Sequence, residues 1–142
     1  MKYILGISAG FHDAAATLIN SNGEIIFAGH SERYSKHKHT KHLNTDLVND
    51  ALSHTSYSYN EIHYYERPWM KFLRQLRTGE GTRLVNLFTK DIIGRGNIEL
   101  LNPKKIYTHN HHLSHAAAGF QTSPFKEATV VVIDAKIGRA HV

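Results

Sequence analysis

The 142-residue chain has no cysteine. That excludes disulfides, thiolate ligands, iron–sulfur clusters and a thiol nucleophile. No apolar run approaches the roughly 20 residues of a membrane-spanning helix. The start, Met1-Lys2-Tyr3-Ile4-Leu5-Gly6, goes straight into strand-like sequence and lacks the apolar region and cleavage site of a signal peptide. These absences place the expected location in the cytoplasm. Gly79-Glu80-Gly81 lacks the Lys-Ser/Thr of a phosphate-binding P-loop, so it carries no nucleotide role. There is no internal repeat, heptad or low-complexity tract. The formal charge is +5, but no basic stripe is interleaved with aromatics, and Lys36, Lys38 and Lys41 sit in one short loop. A local anion site explains that loop as well as a polynucleotide would.

What is present is a globular composition, 41% hydrophobic and 20% charged, in a length that suits one domain with a core. The end of the chain, Ile137-Gly138-Arg139-Ala140-His141-Val142, matches the translation of a common sequencing adapter. Residues 136–142 therefore read as a non-native tail on a truncated natural chain that occupies 1–135. Removing Lys136 and Arg139 takes two from the formal +5 and leaves +3, which argues further against a nucleic-acid partner.

Tyr3–Ser8, Ala14–Ile19 and Glu24–Ala28 read as three consecutive strands, with turn chemistry at Asn20-Ser21-Asn22-Gly23. Gly29–Lys41 is a charged loop. A helix is expected over Thr45–His54, and a short strand over Ile62–Tyr65. Pro68 suits the first turn of a helix in which Trp69, Leu73 and Leu76 line up as an apolar stripe, ended by Gly79–Gly81. Leu84, Val85, Leu87 and Phe88 mark another helix, closing near Gly94-Arg95-Gly96. Lys105–Thr108 is a candidate strand feeding a histidine-rich helix, and Ala128–Ile133 a buried strand ending at Asp134. Three strands followed by alternating helices and strands predict a mixed-sheet α/β domain.

The chain carries twelve histidines, most of them clustered between Ser35 and His42 or between His109 and His115. His111 and His115 are four apart, so on a helix both imidazoles project from one face and can reach one metal ion. Ala116-Ala117-Ala118 supports the helical premise. Asp134 at a strand end is a third candidate ligand, and two imidazoles with a carboxylate suit iron, zinc or manganese. The plainer alternative is one capping or packed histidine with the rest solvated. The zinc-protease motif needs Glu where His112 stands, which argues against proteolysis by that chemistry.

The junction Ala9-Gly10-Phe11-His12-Asp13-Ala14 combines a glycine reversal with two chemistry-bearing residues at its mouth. Asp13 is expected to hydrogen-bond turn backbone; for His12 a structural and a functional role both stand. His30, His54 and His63 lie in segments without companion ligands. The loop Ser31–His39 gathers cations and hydroxyls that could hold a phosphate, or could simply be solvated.

Taken together, four ordered segments resemble the N-terminal part of the nodulation- and antibiotic-type O-carbamoyltransferases. They are Ile4–Ala15, then Glu32-Arg33-Tyr34-Ser35 with Lys38-His39, then His111-His112-Leu113-Ser114-His115-Ala116-Ala117 followed by Ser123-Pro124-Phe125, and lastly Val132-Ile133-Asp134-Ala135. The resemblance implies an actin-like, ribonuclease-H-like ATPase fold, here incomplete, with a mixed sheet and flanking helices. It implies that a separate C-terminal domain, missing here, makes carbamoyl-adenylate from carbamoyl phosphate and ATP. The domain begun here would then move the carbamoyl group to a small-molecule acceptor hydroxyl. By the same resemblance His111, His115 and Asp134 would bind a divalent metal, iron by implication. His12 would act at the acceptor as base or orienting group, and Lys38 would contact the carbamoyl-adenylate. An acidic residue usually follows the Lys-His pair in that family, and here it is Thr40. The isolated chain is expected to lack turnover. Two other readings remain at this stage: a non-catalytic metal- or nucleotide-binding module of the same fold, and a basic RNA-binding domain.

Overall fold

The computed structural model describes residues 2–55, 61–78 and 88–133. Within them the chain forms a five-stranded mixed sheet flanked by helices. Strand β1 (Tyr3–Ser8) turns back antiparallel onto β2 (Ala15–Asn20), which pairs antiparallel with β3 (Ile25–His30). On the other side of β1 run β4 (Glu61–Tyr64) and β5 (Lys105–Thr108), both parallel to it, giving the order β3-β2-β1-β4-β5. The β2–β3 turn is built by Asn20, whose side-chain oxygen accepts from the Asn22 and Glu24 amides at 2.9 and 3.0 Å. Gly23 supplies the positive φ of 82° that the reversal requires.

One face of the sheet makes the core. Leu5, Ile7, Ala16, Leu18, Ile62 and Tyr64 alternate along their strands and are buried together, as period-two patterning demands. Helix α2 (Thr45–Ser53) covers this face with Leu47, Val48 and Ala51. Its start is fixed by Asn44, whose side chain accepts from the Asp46 and Leu47 amides. Helices α4 (Thr89–Ile93) and α5 (Arg95–Leu101) add Ile92, Ile93 and Leu101 to the same core. Each fully buried Leu or Ile removes enough apolar surface to contribute about 1.5–3 kcal/mol.

Three expectations are corrected, and a fourth is only partly covered by the described residues. The loop expected over Gly29–Lys41 contains a short helix, α1 (Ser31–Ser35), whose buried Ser31 hydroxyl accepts from the Asn44 amide at 3.0 Å. Helix α3 (Pro68–Thr78) forms, but its stripe faces outward: Trp69, Leu73 and Leu76 are 51%, 47% and 60% exposed. Lys71, on the opposite side of that helix, is turned inward. The expected strand Ala128–Ile133 does not form; it makes no ladder with any described strand, and Val131 and Ile133 are 77% and 89% exposed. β-Branched composition favours extended backbone, but a strand exists only where a neighbour completes its hydrogen bonds. The helix expected around Leu84 falls largely outside the described residues, as does the stop at Gly79–Gly81; what is described is α4, ended at Gly94 with φ 95°, and then the unanticipated α5. Asp134 and residues 135–142 also lie outside the described residues. Among the described residues no helix is long and apolar enough to cross a membrane.

Candidate functional site

Because β1, β4 and β5 are parallel, their C-terminal ends open on one edge of the sheet. In open α/β sheets that edge is where ligands are held. The chain leaving β1 carries His12, and the chain leaving β5 enters the histidine helix α6 (His111–Gln121).

The turn after β1 is pinned from several sides. The Tyr64 hydroxyl donates to the Ala9 carbonyl at 2.6 Å, and its burial pushes the phenol far above its ordinary range. Lys71 Nζ donates to the Gly10 carbonyl at 2.8 Å. The Gly10 and Ala14 amides donate to the Lys41 and Thr40 carbonyls, each at 2.8 Å, docking the loop that follows α1 against the turn. Gly10 has φ 86°, and a Cβ there would stand 2.6 Å from Ile92 Cγ2, so no other residue fits.

Asp13, at φ 50°, does not spend its carboxylate on the turn backbone as expected. It sits between two imidazoles: His12 Nδ1 is 2.7 Å from one oxygen and His39 Nδ1 is 3.2 Å from the other. The His12 hydrogen bond holds the Asp13 carboxyl below its ordinary range; burial opposes this and His39 reinforces it. A carboxylate can only accept, so the His12 proton resides on Nδ1 and leaves Nε2 as the basic nitrogen. The ring is 55% exposed.

Lys38 lies in the docked loop, exposed, on an open groove of about 390 Å³ shared with Glu32, Arg33, Lys36 and His37. Thr40 closes this loop: its hydroxyl donates to the His37 carbonyl at 2.6 Å and lies 2.9 Å from Ser35 Oγ.

At the other end of the edge, Asn110 caps α6 by accepting from the His112 and Leu113 amides. The Ser114 hydroxyl donates to the Tyr65 carbonyl at 2.8 Å, tying α6 to the end of β4. His111 and His115 bring their Nε2 atoms to 3.2 Å, with rings 88° apart. That spacing is what two nitrogen ligands about 2.1 Å from a shared ion require. The donor pair thus fits a divalent metal. The third proposed ligand, Asp134, lies outside the described residues. Among the described residues no group of three or more His, Cys, Asp or Glu side chains is gathered for one ion.

His63 is not without a companion. Its Nδ1 is 2.9 Å from His109 Nε2, the rings are stacked, and Glu61 lies 3.7 Å from its Nε2. Burial, then the nearby His63 and Arg67, lower the His109 pKa. This pairing depends on strand register and leaves no mark in sequence spacing. Lys71 was equally invisible, because an apolar stripe on the other side of its helix dominates the pattern. The adjacency of His12 and Asp13 was the one available signal for their dyad. His54 meets the Asp50 carboxylate at 3.5 Å and the Phe27 ring at a centroid distance of 5.3 Å.

No family model matches the chain. A Synechocystis sp. protein that bears the name uncharacterized protein sll1178 is 34% identical across 94% of this chain and 25% of that protein. The chain therefore spans about a quarter of that relative's length.

Proposed function

We propose that this chain is the acceptor-side part of an O-carbamoyltransferase of actin-like, ribonuclease-H-like fold. The single observation that carries this reading is the shared sheet edge. Two differently built histidine sites, the His12–Asp13 dyad and the His111–His115 pair, follow the ends of parallel strands β1 and β5. The mixed sheet with flanking helices agrees with the actin-like fold at the level of layers and strand directions.

In this reading Lys38 and its cationic neighbours hold the phosphate of carbamoyl-adenylate. The acceptor hydroxyl oxygen attacks the carbamoyl carbon, and its proton passes to His12 Nε2, with Asp13 stabilising the imidazolium that results. The carbamoyl–phosphate oxygen bond breaks and AMP leaves. His111 and His115, with Asp134, would hold a divalent ion, iron being the one the resemblance implies; when bound, it supplies Lewis-acid stabilisation of the developing oxyanion. ATP and carbamoyl phosphate would be the substrates of the adenylate-forming domain in cis.

The test uses the intact gene product read through its genomic frame, supplied with ATP, carbamoyl phosphate and a panel of sugar and alcohol acceptors. Acceptor-dependent AMP release with a carbamoylated product is expected. His12→Ala should lower kcat by about 10²–10⁴, the span of general base catalysis, with little change in stability because its ring is half exposed. Metal binding without carbamoylation of any acceptor would leave a binding module instead.

A further inference from the structure

Lys71 is only 4% exposed. Burying an ammonium costs several kcal/mol unless it is compensated, so a lysine held this way needs a structural or functional return. Its Nζ donates to the Gly10 carbonyl at 2.8 Å and lies 5.9 Å from the centroid of the Phe11 ring. The Phe11 ring in turn lies against that of His12, with centroids 4.5 Å apart. Lys71 thus reaches His12 along two paths: through the backbone of the turn, and through the aromatic ring beside the imidazole.

The surroundings show why the contact matters. The turn has positive φ at Gly10 (86°) and at Asp13 (50°), a backbone that must be held by its neighbours. Tyr64 holds the carbonyl before Gly10, and the docked loop holds the amides of Gly10 and Ala14. Between Gly10 and Ala14 stand Phe11, His12 and Asp13; His39 reaches Asp13, and Lys71 reaches the Gly10 carbonyl and the Phe11 ring from helix α3. A hydrogen bond with a charged donor is about twice as strong as a neutral one. A cation near the face of an aromatic ring adds a directional attraction.

We propose that Lys71 is a positioning residue that holds the Gly10–Phe11 backbone and the Phe11 ring so that His12 stays locked onto Asp13 with Nε2 presented outward. This rests on the reading of His12 as the acceptor-side base. It goes beyond that reading by assigning a role to a helix α3 residue with no contact to substrate.

The experiment is NMR on the 142-residue chain labelled with ¹⁵N at histidine and lysine, without substrate and at a concentration below the onset of its self-association. In the wild type, His12 shows one tautomer, Nδ1 protonated and Nε2 bare. In Lys71→Met, which keeps the apolar stem, His12 loses that signature and averages between tautomers. Lys71→Arg, which keeps a cationic donor, restores it in part. A folded Lys71→Met chain with an unchanged His12 signature overturns the proposal. Should Lys71→Met fail to fold, the wild type decides directly. A Lys71 ammonium protected from exchange, with through-bond coupling to the Gly10 carbonyl carbon, supports the proposal; one exchanging as fast as surface lysines overturns it. In a turnover assay of the intact gene product, Lys71→Met lowers kcat about 10²-fold, the effect of a small misplacement of a reacting group, with KM for the carbamoyl donor unchanged. The NMR result stands or falls without any carbamoyl chemistry. Failure of the transfer reading therefore shows as absent product beside an intact His12–Lys71 coupling.

Discussion

The Nε2 atoms of His111 and His115 lie 3.2 Å apart across one turn of α6. His111 is half-buried, with its ring against Tyr65, and the exposed His115 turns its Nε2 toward it. Convergence makes the pair a bidentate donor set on a rigid element, the arrangement that favours metal capture. The chain should bind one Co²⁺ or Zn²⁺ per molecule, followed by Co²⁺ absorption or by calorimetry. His111→Ala and His115→Ala should each weaken binding at least about tenfold, a loss of 1.4 kcal/mol. Only neutral imidazole ligates, so protons compete with the metal and affinity falls on acidification. Equal affinity in wild type and both variants would place the ion elsewhere.

Asp13→Asn tests the dyad. Asparagine tolerates positive φ, so the turn at φ 50° is kept while the charge is removed. The denaturant midpoint at neutral pH should fall slightly, by the small contribution of an exposed carboxylate–imidazole bond. The His12 tautomer should become mixed, and transfer by the intact enzyme should fall by about 10²–10⁴. The wild-type carboxyl is held below its ordinary range by the His12 bond. Its contribution is therefore present above the unfolded value of 3.8 and is lost as pH falls through the lower folded value. The wild type and Asp13→Asn should converge in stability below that point.

Asn97 carries a structural network with no functional reading. Its Nδ2 donates to the Leu43 and Ile93 carbonyls at 3.0 and 2.9 Å, and its Oδ1 accepts from the Thr45 hydroxyl at 3.1 Å. The residue is 6% exposed. Asn97→Ala would strand two buried carbonyls, each costing about 1–3 kcal/mol. The expected loss is about 2–4 kcal/mol in urea unfolding, and a loss under 1 kcal/mol would show that water or a shift replaces both bonds.

The elements that sequence made legible are those whose signals are local. Asn20-Ser21-Asn22-Gly23 announces a hairpin, Ala116-Ala117-Ala118 supports a helix, and Tyr3–Ser8 alternates with period two. The i, i+4 spacing of His111 and His115 likewise encodes their proximity. What sequence could not show depends on partners far along the chain. Helix α3 sits with Lys71 on the Gly10 carbonyl, 61 residues away, and with the Trp69–Leu73–Leu76 stripe outward. His63 meets His109 because β4 and β5 are neighbours in register, 46 residues apart. The run Ala128–Ile133 has strand composition, but composition names a preference and not a partner.

Tyr34 donates its hydroxyl to the Asp50 carboxylate, and that bond, with burial adding, raises the phenol from 10.0 to about 12. A raised folded value means the folded state keeps a proton that the unfolded chain loses. The bond's contribution is thus complete below pH 10 and disappears as pH climbs through about 12. Tyr34→Phe should cost about 1 kcal/mol at neutral pH, the low end for a charged acceptor because Asp50 is partly exposed. The difference between wild type and variant, followed by urea unfolding from pH 8 to 12, should shrink toward zero over the last two pH units. A constant difference would mean that Tyr34 acts through packing and not through this bond.

The outward stripe of α3 has the largest consequence for behaviour in solution. Trp69, Met70, Leu73 and Leu76 are 45–60% exposed along one helix, and Phe125, Val131 and Ile133 are 65–89% exposed on the last described segment. Soluble monomers rarely display contiguous apolar patches larger than a few hundred Å², and an unpaired apolar run of β-branched residues invites intermolecular pairing. The 142-residue chain should therefore self-associate at micromolar concentration in sedimentation velocity. Two lesions separate the causes. Trp69→Gln with Leu73→Lys should shift the distribution toward monomer if the helix stripe dominates, whereas Val131→Lys with Ile133→Lys should do so if strand pairing dominates. None of these four residues belongs to the buried core cluster, so each double variant should melt within a few degrees of the wild type. A wild-type chain that stays monodisperse and monomeric up to about 100 µM, inside the micromolar-to-millimolar range in which exposed apolar surface drives association, would show that the exposed residues are tolerated singly and form no joined surface.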